Sequence, residues 1–214
     1  MNETEITETS PLSAFLPATI VPDLRLSDEQ LEMAIEKGLD DARIRCERTE
    51  KGSLRAYSPP PQQIWLMIHI FHREMLGWFG RTKATGLVTM RRRFFLRDNS
   101  MLCPDIAYVA SGIDKRPSQM ESTRVLRLCP KFVAEFCSHP RELRWLKDKM
   151  LQWLASGVEL GWLLVPQEQC VYVYSPRAEP TIMDGKVAMG AGTWGQFDIS
   201  LDELWRLDEY RRLS

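Results

Sequence analysis

Two carboxylates stand at positions where a charged side chain is costly. Glu135 lies inside the near-continuous apolar run KFVAEF, and Asp105 follows a proline directly before the apolar run IAYV. A carboxylate within such a strand must be paired, protonated or bound to a metal, because burying it without a partner costs several kcal/mol. Converging carboxylates that leave coordination positions open to water suit Mg²⁺ or Mn²⁺. Such an ion polarises a phosphodiester and lowers the pKa of its bound water, so the pair is a candidate centre for phosphodiester hydrolysis.

The spacing of the two residues supports a shared site but leaves a structural role open. The thirty residues from Asp105 to Glu135 are easily spanned by strand, loop and strand, so the two side chains can be neighbours. An aspartate at a strand end also commonly caps a turn, and an interior glutamate commonly pairs with an arginine. Strand alternation divides the second run between two faces, with Val133, Glu135 and Cys137 on one and Phe132, Ala134 and Phe136 on the other.

A helix is predicted directly after this strand, and it carries the third candidate group. Residues 140–156 begin with a proline, end before Gly157 and have an apolar stripe at helical spacing. At about 100° per residue, Lys147 and Lys149 lie just beyond opposite borders of that stripe. Either ammonium group can reach back toward Glu135, and periodicity does not choose between them. A lysine in this position also commonly extends along the helix surface to water, which is the structural alternative.

The composition limits the class of protein. The chain has 214 residues, 44% of them apolar and 27% charged, which is ordinary for a globular protein with one sizeable core. No apolar run approaches the roughly 18 residues that a membrane crossing needs. The acidic N-terminus lacks the basic start and apolar middle of a signal peptide, which predicts a cytoplasmic protein. The five cysteines are scattered without a C-x-x-C pair, so we expect buried thiols rather than disulfides or a zinc site.

Binding to nucleic acid would depend on local basic patches, because the net charge of −1 gives no general attraction to DNA. The densest candidate is Arg91-Arg92-Arg93 with Arg97. Arginines on alternate strand faces cannot all meet one phosphate backbone, so a solvated strand edge is the alternative interpretation. Arg141 and Arg144, near the start of the helix over 140–156, are secondary candidates.

The remaining pattern predicts alternating strands and helices. Residues 1–26 have little periodicity and are predicted to be a mobile lead-in, which leaves 27–214 as a single domain. Ser27 and Gln30 form a capping box for a helix ending near Gly38. The predicted order continues with a hairpin (43–49 and 53–58), a long helix (62–79), strands at 86–90, 93–96 and 105–109, a loop (111–128), the strand at 131–136, the helix at 140–156, strands at 162–165 and 170–174, and a helix over 200–211.

This order describes an α/β or α+β domain, a mixed sheet flanked by helices. The turn residues Asp98-Asn99-Ser100 predict a second hairpin, between the strands at 93–96 and 105–109. His69 and His72 lie three residues apart on the long helix, a spacing at which two histidines can share a metal. No third ligand follows on the helix, so we favour polar side chains at the edge of the core.

The motifs around the candidate residues resemble those of a known family. The segments CPDIAYV and KFVAEFCSHPRELRWLKDKMLQWLASGVELGWLLVPQEQCVYVY are similar to the core of the Uma2 family (DUF820), a group of restriction-endonuclease-type proteins in the PD-(D/E)xK nuclease superfamily. The resemblance covers residues 42–210 and is strongest between 103 and 176. The matching motifs are Pro104-Asp105, Glu135 to Ser138, Lys149-Met150 to Trp153, Gly157-Val158 and Gly161-Trp162-Leu163.

The resemblance implies a restriction-endonuclease-like PD-(D/E)xK core and metal-dependent hydrolysis of DNA. Asp105 and Glu135 would be catalytic ligands of Mg²⁺ or Mn²⁺. Lys149, rather than Lys147, would be the catalytic lysine that stabilises the charge of the transition state. The usual lysine of the E-x-K motif would fall at Cys137, so the resemblance implies that it has moved to the helix.

Three departures or additions accompany the resemblance. Members of this subtype often carry a glycine-rich stretch after the second strand, where this chain has Pro59-Pro60-Pro61, so the role of that loop stays open. The family's Ser-Pro-Ser is here Ser138-His139-Pro140, which leaves the metal ligands untouched. Glu47 matches a glutamate common in the family and is a candidate extra acidic ligand, with a structural role favoured.

Three functions therefore remain open from the sequence. The first is a Mg²⁺-dependent endonuclease acting on DNA. The second is a non-catalytic nucleic-acid-binding or interaction module on the same fold. The third is a metal-independent structural protein in which Glu135 pairs with an arginine. A nuclease that cuts both strands usually needs two active sites, so a homodimer is expected from the function rather than from particular residues.

Overall fold

A computed structural model describes residues 19–21, 26–35, 45–57, 59–82, 84–111, 125–193 and 195–212. The helices in these ranges are α1 (Asp28–Ala34), α2 (Gln62–Arg81), α3 (Leu143–Ala155) and α4 (Asp202–Arg212), with 3₁₀ turns at Pro140–Glu142 and Pro166–Glu168. The strands are β1 (Thr19–Val21), β2 (Arg45–Arg48), β3 (Leu54–Tyr57), β4 (Gly86–Met90), β5 (Arg93–Phe95), β6 (Met101–Leu102), β7 (Ile106–Ala110), β8 (Val125–Leu126), β9 (Phe132–Phe136), β10 (Leu160–Val165), β11 (Cys170–Tyr174), β12 (Thr181–Asp184), β13 (Val187–Gly192) and β14 (Gly195–Ser200).

A six-stranded mixed sheet forms the centre of the fold. Its strand order is β12-β11-β10-β9-β7-β4, with β9 and β10 parallel and the other neighbouring pairs antiparallel. β9 lies between β10 and β7, and its Glu135 is opposite Leu163. Every residue of β9 is buried, as the apolar run predicts for a central strand.

The two faces of β9 pack against different helices. One face, which ends in Phe136, enters a core shared with α2, where the rings of Phe71 and Phe136 lie edge to face with centroids 5.8 Å apart. The other face packs against α3, with Met150 and Trp153 in the same buried cluster as Val133. This division confirms the faces predicted from alternation, and it turns the glutamate of the strand toward α3.

A second six-stranded sheet has the order β1-β3-β2-β6-β5-β8. Its β2–β3 hairpin is the one predicted from the sequence. The chain crosses between the two sheets at Arg91, between β4 and β5, and again at 103–105, between β6 and β7. The crossings touch each other, since the Arg91 N–H donates to the Asp105 carbonyl oxygen at 3.0 Å. Asp105 therefore lies at the junction of the two sheets.

The turn at 98–100 closes a different hairpin from the predicted one. The Asp98 carboxylate accepts hydrogen bonds from the N–H and hydroxyl of Ser100, and Asn99 has a left-handed φ of 64°. The chain reverses so tightly that β5 pairs with the two-residue β6. The run at 105–109 instead forms β7 in the central sheet, paired with β4 and β9. The predicted hairpin is therefore wrong, because β6 is too short to leave a pattern in the sequence.

Several further strands depart from the sequence predictions. Part of the predicted loop forms β8, which is parallel to β5, and part of the predicted lead-in forms β1, which pairs with β3. β12, β13 and β14 are largely exposed and have no apolar run that would reveal them. Trp78 of α2 donates from Nε1 to the Gln196 carbonyl of β14 at 2.9 Å, which ties this last hairpin to the core. The parts of the predicted lead-in, first helix, first hairpin and loop that fall at 1–18, 22–25, 36–44 and 112–124 lie outside the described residues.

The predicted helix boundaries hold where capping chemistry defines them. The Ser27 hydroxyl accepts from the Gln30 N–H at 3.2 Å, and the Gln30 side chain accepts from the Ser27 N–H at 2.9 Å, which confirms the capping box of α1. Gly157 has a φ of 111° just after α3, as its C-terminal position predicts. No helix within the described ranges combines the length and apolar character that spanning a bilayer requires.

Gly86 is a position at which the central sheet does not tolerate a side chain. Its φ is 149°, and a Cβ would overlap the carbonyl oxygen of Val109 on β7. We expect Gly86→Ala to lower the free energy of unfolding by about 2 kcal/mol or more, because strain and overlap must both be relieved. Gly80→Ala on α2 is the control, since a Cβ there meets open space and alanine favours the helix by about 1 kcal/mol. Equal urea midpoints for the two variants would contradict this prediction.

Candidate active site

Five charged side chains are buried together where the two sheets meet. Asp105 precedes β7, Glu135 lies on β9, Lys149 lies on α3, and Arg45 and Glu47 lie on β2. Each is at most 9% exposed. Charges in such a setting require partners, because each ion loses several kcal/mol of solvation on burial. The three residues predicted from the sequence therefore come together, and two residues of the first hairpin join them.

Lys149 contacts both buried glutamates. Its Nζ lies 2.7 Å from Glu135 Oε1 and 2.7 Å from Glu47 Oε1, and it donates to the Cys103 carbonyl oxygen at 3.3 Å. Lys147 turns elsewhere, with its Nζ 4.1 Å from the centre of the Tyr172 ring. Helical periodicity leaves both lysines open, whereas the structure brings Lys149 to the strand glutamate.

The two oxygens of Glu135 have different surroundings. Oε1 accepts from the Trp153 indole N–H at 3.0 Å in addition to its contact with Lys149. Oε2 is buried and has no hydrogen-bond partner among the described residues. Arg45 Nη1 lies 3.6 Å from this oxygen, beyond hydrogen-bond distance. A buried carboxylate oxygen that accepts no hydrogen bond is costly to maintain, and it is available to a ligand.

Asp105 is held by the end of the same central strand. Its Oδ2 accepts from the Phe136 N–H at 2.9 Å, and its Oδ1 accepts from Arg45 Nη1 at 3.0 Å. Because the same Arg45 nitrogen lies 3.6 Å from Glu135 Oε2, the two carboxylate oxygens are separated by no more than the sum of these two distances. The two carboxylates therefore share Arg45 as a common partner at the junction of the two sheets.

Arg45 is the residue of this cluster that the sequence analysis missed. Arg45 and Glu47 are two residues apart on a predicted strand, so their side chains share a face, and this pair of opposite charges was the available signal. The strand RCER reads as polar and gives no indication that all four residues are buried. Burial disfavours the charged guanidinium, but Asp105, Glu47 and Glu135 outweigh burial and raise the pKa of Arg45 well above its usual value.

The two glutamates differ in their affinity for a proton. Burial is the largest influence on both, and it raises the pKa of Glu135 even though Lys149 and Arg45 act in the opposite direction. For Glu47, the charges of Lys149 and Arg45 outweigh the effect of burial, and the pKa is lowered. Glu47 is therefore the firmer counter-ion of Lys149, and Glu135 is the more adaptable carboxylate.

A small cleft leads from the surface to this cluster. It has a volume of about 20 Å³, and its lining includes Arg45, Asp105, Arg91 and the two aromatic side chains Tyr57 and Trp145. The aromatic rings pack with their centroids 5.0 Å apart. A space of this size admits a water molecule or a small ion but not a nucleotide base. A large substrate would therefore dock at the mouth of the cleft.

The oxygen atoms of the cluster fit a hard divalent ion in their chemistry. Mg²⁺ and Mn²⁺ prefer carboxylate oxygens, and Oε2 of Glu135, which accepts no hydrogen bond from the described residues, is one such oxygen on the same arginine as Asp105. Within the part of the chain that the structure describes, no group of three His, Cys, Asp or Glu side chains is arranged to hold a metal. Instead, Arg45 forms ion pairs with all three carboxylates and Lys149 with both glutamates. Ion binding would therefore require Arg45 to move aside.

The other candidates from the sequence lie outside this cluster. His69 Nδ1 is 2.8 Å from the Trp65 carbonyl oxygen, and His72 is half-buried with burial lowering its pKa. All five cysteines are free thiols, as expected, but only four are buried, since Cys129 is partly exposed. Pro61 caps α2, and Pro60 lines the cleft.

The arginine run at 91–93 is divided by the fold. Arg93 is buried, whereas Arg91 lines the cleft beside Asp105. Arg97 lines a separate groove near Arg127. These arginines therefore do not form one continuous patch.

Comparison with known families identifies the group to which this fold belongs. The Uma2 family, described as "Putative restriction endonuclease", matches residues 28–189. The chain belongs to the Uma2 family. The crystal structure of a "putative nuclease belonging to DUF820" from Anabaena variabilis is similar, with a TM-score of 0.64 and 18% sequence identity over 76% of this chain and 90% of that chain. No curated protein matches the chain. These findings confirm the resemblance and the predicted restriction-endonuclease-like class of fold.

Removing the Lys149 ammonium group would leave two buried glutamates without the cation between them. We expect Lys149→Met to lower the free energy of unfolding by about 3–5 kcal/mol at pH 7. This loss of stability should be smaller in acid. Without the ammonium group, the pKa values of the two buried glutamates are raised in the folded state, so these side chains take up protons as the pH falls. A raised pKa stabilises the fold below the unfolded value of about 4.3, and this contribution is lost as the pH rises.

Urea unfolding at about pH 4 and pH 7 measures this effect, with Lys147→Met as the control on the same helix. Lys147 contacts a tyrosine ring rather than a carboxylate, so its loss should change stability little at either pH. An equal loss at both pH values for Lys149→Met would show that the glutamates do not take up protons.

Proposed function

We propose that this protein is a Mg²⁺- or Mn²⁺-dependent endonuclease that hydrolyses DNA phosphodiester bonds in the cytoplasm. Asp105 and Glu135 would hold the metal ion, and Lys149 would stabilise the charge that develops in the transition state. The observation that carries this proposal is the convergence of two buried carboxylates and a buried lysine, with one oxygen of Glu135 left without a hydrogen bond. The bound ion would supply an activated water and polarise the phosphodiester.

The carboxylates are oriented by groups that do not have to move when an ion binds. The Phe136 N–H fixes one oxygen of Asp105, and the Trp153 indole fixes one oxygen of Glu135. The other oxygen of each carboxylate faces the same nitrogen of Arg45, at 3.0 Å for Asp105 and 3.6 Å for Glu135. Such support from neighbouring groups is what holds the ligands of a metal site in place.

Lys149 would act as a fixed positive charge. Glu47 and the Cys103 carbonyl group anchor its ammonium group independently of Glu135. Because the site is buried and its effective dielectric is low, this charge would act strongly on a phosphate that becomes more negative. Glu47 is thus proposed as a positioning residue for Lys149 rather than as an additional metal ligand.

A non-catalytic nucleic-acid-binding or interaction module is the second candidate. The observation that favours it is Arg45, which already contacts Asp105 and Glu135 in the space that an ion would share. In that case the five charges form a structural network of ion pairs. Breaking such a network is costly even when it contributes little net stability.

The proposed substrate and assembly follow from the family rather than from individual side chains. DNA is the substrate that we propose, because the Uma2 family is described as "Putative restriction endonuclease". We propose a single domain over 27–214 and a homodimer for cutting both strands, since each site would cleave one strand.

Loss of either carboxylate should abolish metal binding. We expect isothermal titration with Mn²⁺ to give binding for the unaltered protein and none for Asp105→Asn or Glu135→Gln, because an amide replaces an anionic ligand.

Nicking of supercoiled plasmid with Mg²⁺ should fall by about 100- to 1000-fold in Lys149→Met, the range for losing one group that stabilises transition-state charge.

Two controls distinguish these effects from loss of folding. Lys147→Met should retain nicking, and the thermal midpoint of each variant should show that it is folded at the assay temperature. Metal binding without any cleavage of DNA would favour the second candidate. The absence of both metal binding and cleavage in the unaltered protein would refute the endonuclease proposal.

Arg45 should compete with the metal ion for the carboxylates. We expect Arg45→Met to tighten Mn²⁺ binding by about tenfold or more, since one displaced ion pair need contribute only about 1.4 kcal/mol. Arg48→Met is the matched control, because Arg48 is a buried arginine of the same strand that pairs with Asp28 instead. Unchanged or weaker Mn²⁺ binding in Arg45→Met would show that Arg45 does not exclude the ion.

A further inference from the structure

Arg91 has a backbone conformation that is fixed to the candidate site. Its φ is 50°, in the left-handed region that a residue with a long side chain rarely adopts. Its N–H donates to the carbonyl oxygen of Asp105 at 3.0 Å. Strained residues of this kind persist only where their surroundings determine them. The crossing from β4 to β5 thus holds Arg91 at a set position beside one of the proposed metal ligands.

The guanidinium group of Arg91 is supported by an aromatic ring. Its Cζ lies 4.7 Å from the centre of the Trp65 ring, and Trp65 packs in turn against His69 with ring centroids 5.3 Å apart. Arg91 is half-buried and forms no ion pair with any described residue. A guanidinium stacked on a ring keeps the N–H groups along its edge available to an acceptor. Arg91 is therefore an oriented cation without a counter-ion among the described side chains.

The position of Arg91 at the cleft distinguishes it from the neighbouring arginines. Arg45 and Arg91 both line it, but Arg45 is committed to the carboxylates, whereas Arg91 is not. Arg97, from the same arginine-rich segment, lines a different groove. Of these three arginines, Arg91 alone combines a position at the cleft with a free guanidinium edge.

We propose that Arg91 binds a phosphate group of the DNA strand next to the scissile phosphodiester and thereby positions that strand over the cleft. This inference rests on the proposed endonuclease function and assigns a substrate-binding residue to it. The planar fork of an arginine matches the oxygens of a phosphate, which a lysine can contact only as a point charge.

The test compares Arg91→Gln with Arg97→Gln, two substitutions that each remove one positive charge from the same segment. Binding of a fluorescein-labelled DNA duplex is measured by anisotropy between 50 and 200 mM salt without added divalent metal. We expect Arg91→Gln to raise Kd by about fivefold or more and to reduce the slope of log K against log salt by about 0.9, the value for one lost phosphate contact. Arg97→Gln should leave both quantities unchanged.

Steady-state nicking kinetics provide a second measurement. Arg91→Gln should raise KM more than it lowers kcat, because the contact is made in the ground state as well as in the transition state. Arg91→Lys keeps the charge on the same strained backbone, so it should retain the salt slope and restore part of the affinity. A structural role of Arg91 would instead appear as a lowered thermal midpoint with no change in the salt slope.

The possible failures can be told apart. Equal effects of Arg91→Gln and Arg97→Gln, or no effect of either in a protein that binds and cleaves DNA, would overturn the assignment of Arg91 and leave the endonuclease proposal intact. An unaltered protein that neither binds nor cleaves DNA would overturn both. Binding that depends on Arg91 without any cleavage would support the phosphate contact and favour the non-catalytic module.

Discussion

The shared contact of Lys149 with Glu47 and Glu135 is the interaction on which the rest of the site depends. Three parts of the fold meet there, because Glu47 comes from the second sheet, Glu135 from the central sheet and Lys149 from α3. None of these charges can be buried alone at reasonable cost, so each segment needs the other two in register. The position of Asp105 follows, since its strand crossing is bound to the end of β9 through the Phe136 N–H.

The sequence was informative wherever a local periodicity determines the direction of a side chain. Alternation along β9 predicted which face Glu135 occupies, and the structure agrees because a strand interior allows no other arrangement. The lysine was different. Lys147 and Lys149 are equivalent with respect to the apolar stripe of α3, and the choice between them depends on Glu47, which lies on another sheet. The family resemblance selected Lys149 because it carries information about such distant contacts.

Other features left no local signal from which they could be predicted. The strand of Arg45 and Glu47 is buried through charge pairing rather than apolar character, so its composition resembles that of a surface strand. β6 has two residues, which is too few to show alternation, and its presence diverts the following run into the other sheet. The hairpin of β13 and β14 is exposed on one side and joins the core through isolated residues such as Phe197. In each case the missing information is tertiary.

The cluster of five contains three carboxylates and two cations, and this imbalance affects how an ion and a nucleic acid bind at the site. Arg45 and Lys149 offset two of the three carboxylates and leave one negative charge in excess. A polyanion approaching the cleft would meet this excess and be repelled, whereas a divalent cation would be attracted. Uptake of one such cation removes this excess of negative charge. For the proposed endonuclease, DNA would therefore bind more tightly once the ion is in place, so that an enzyme without its ion would release its substrate more readily than the loaded enzyme.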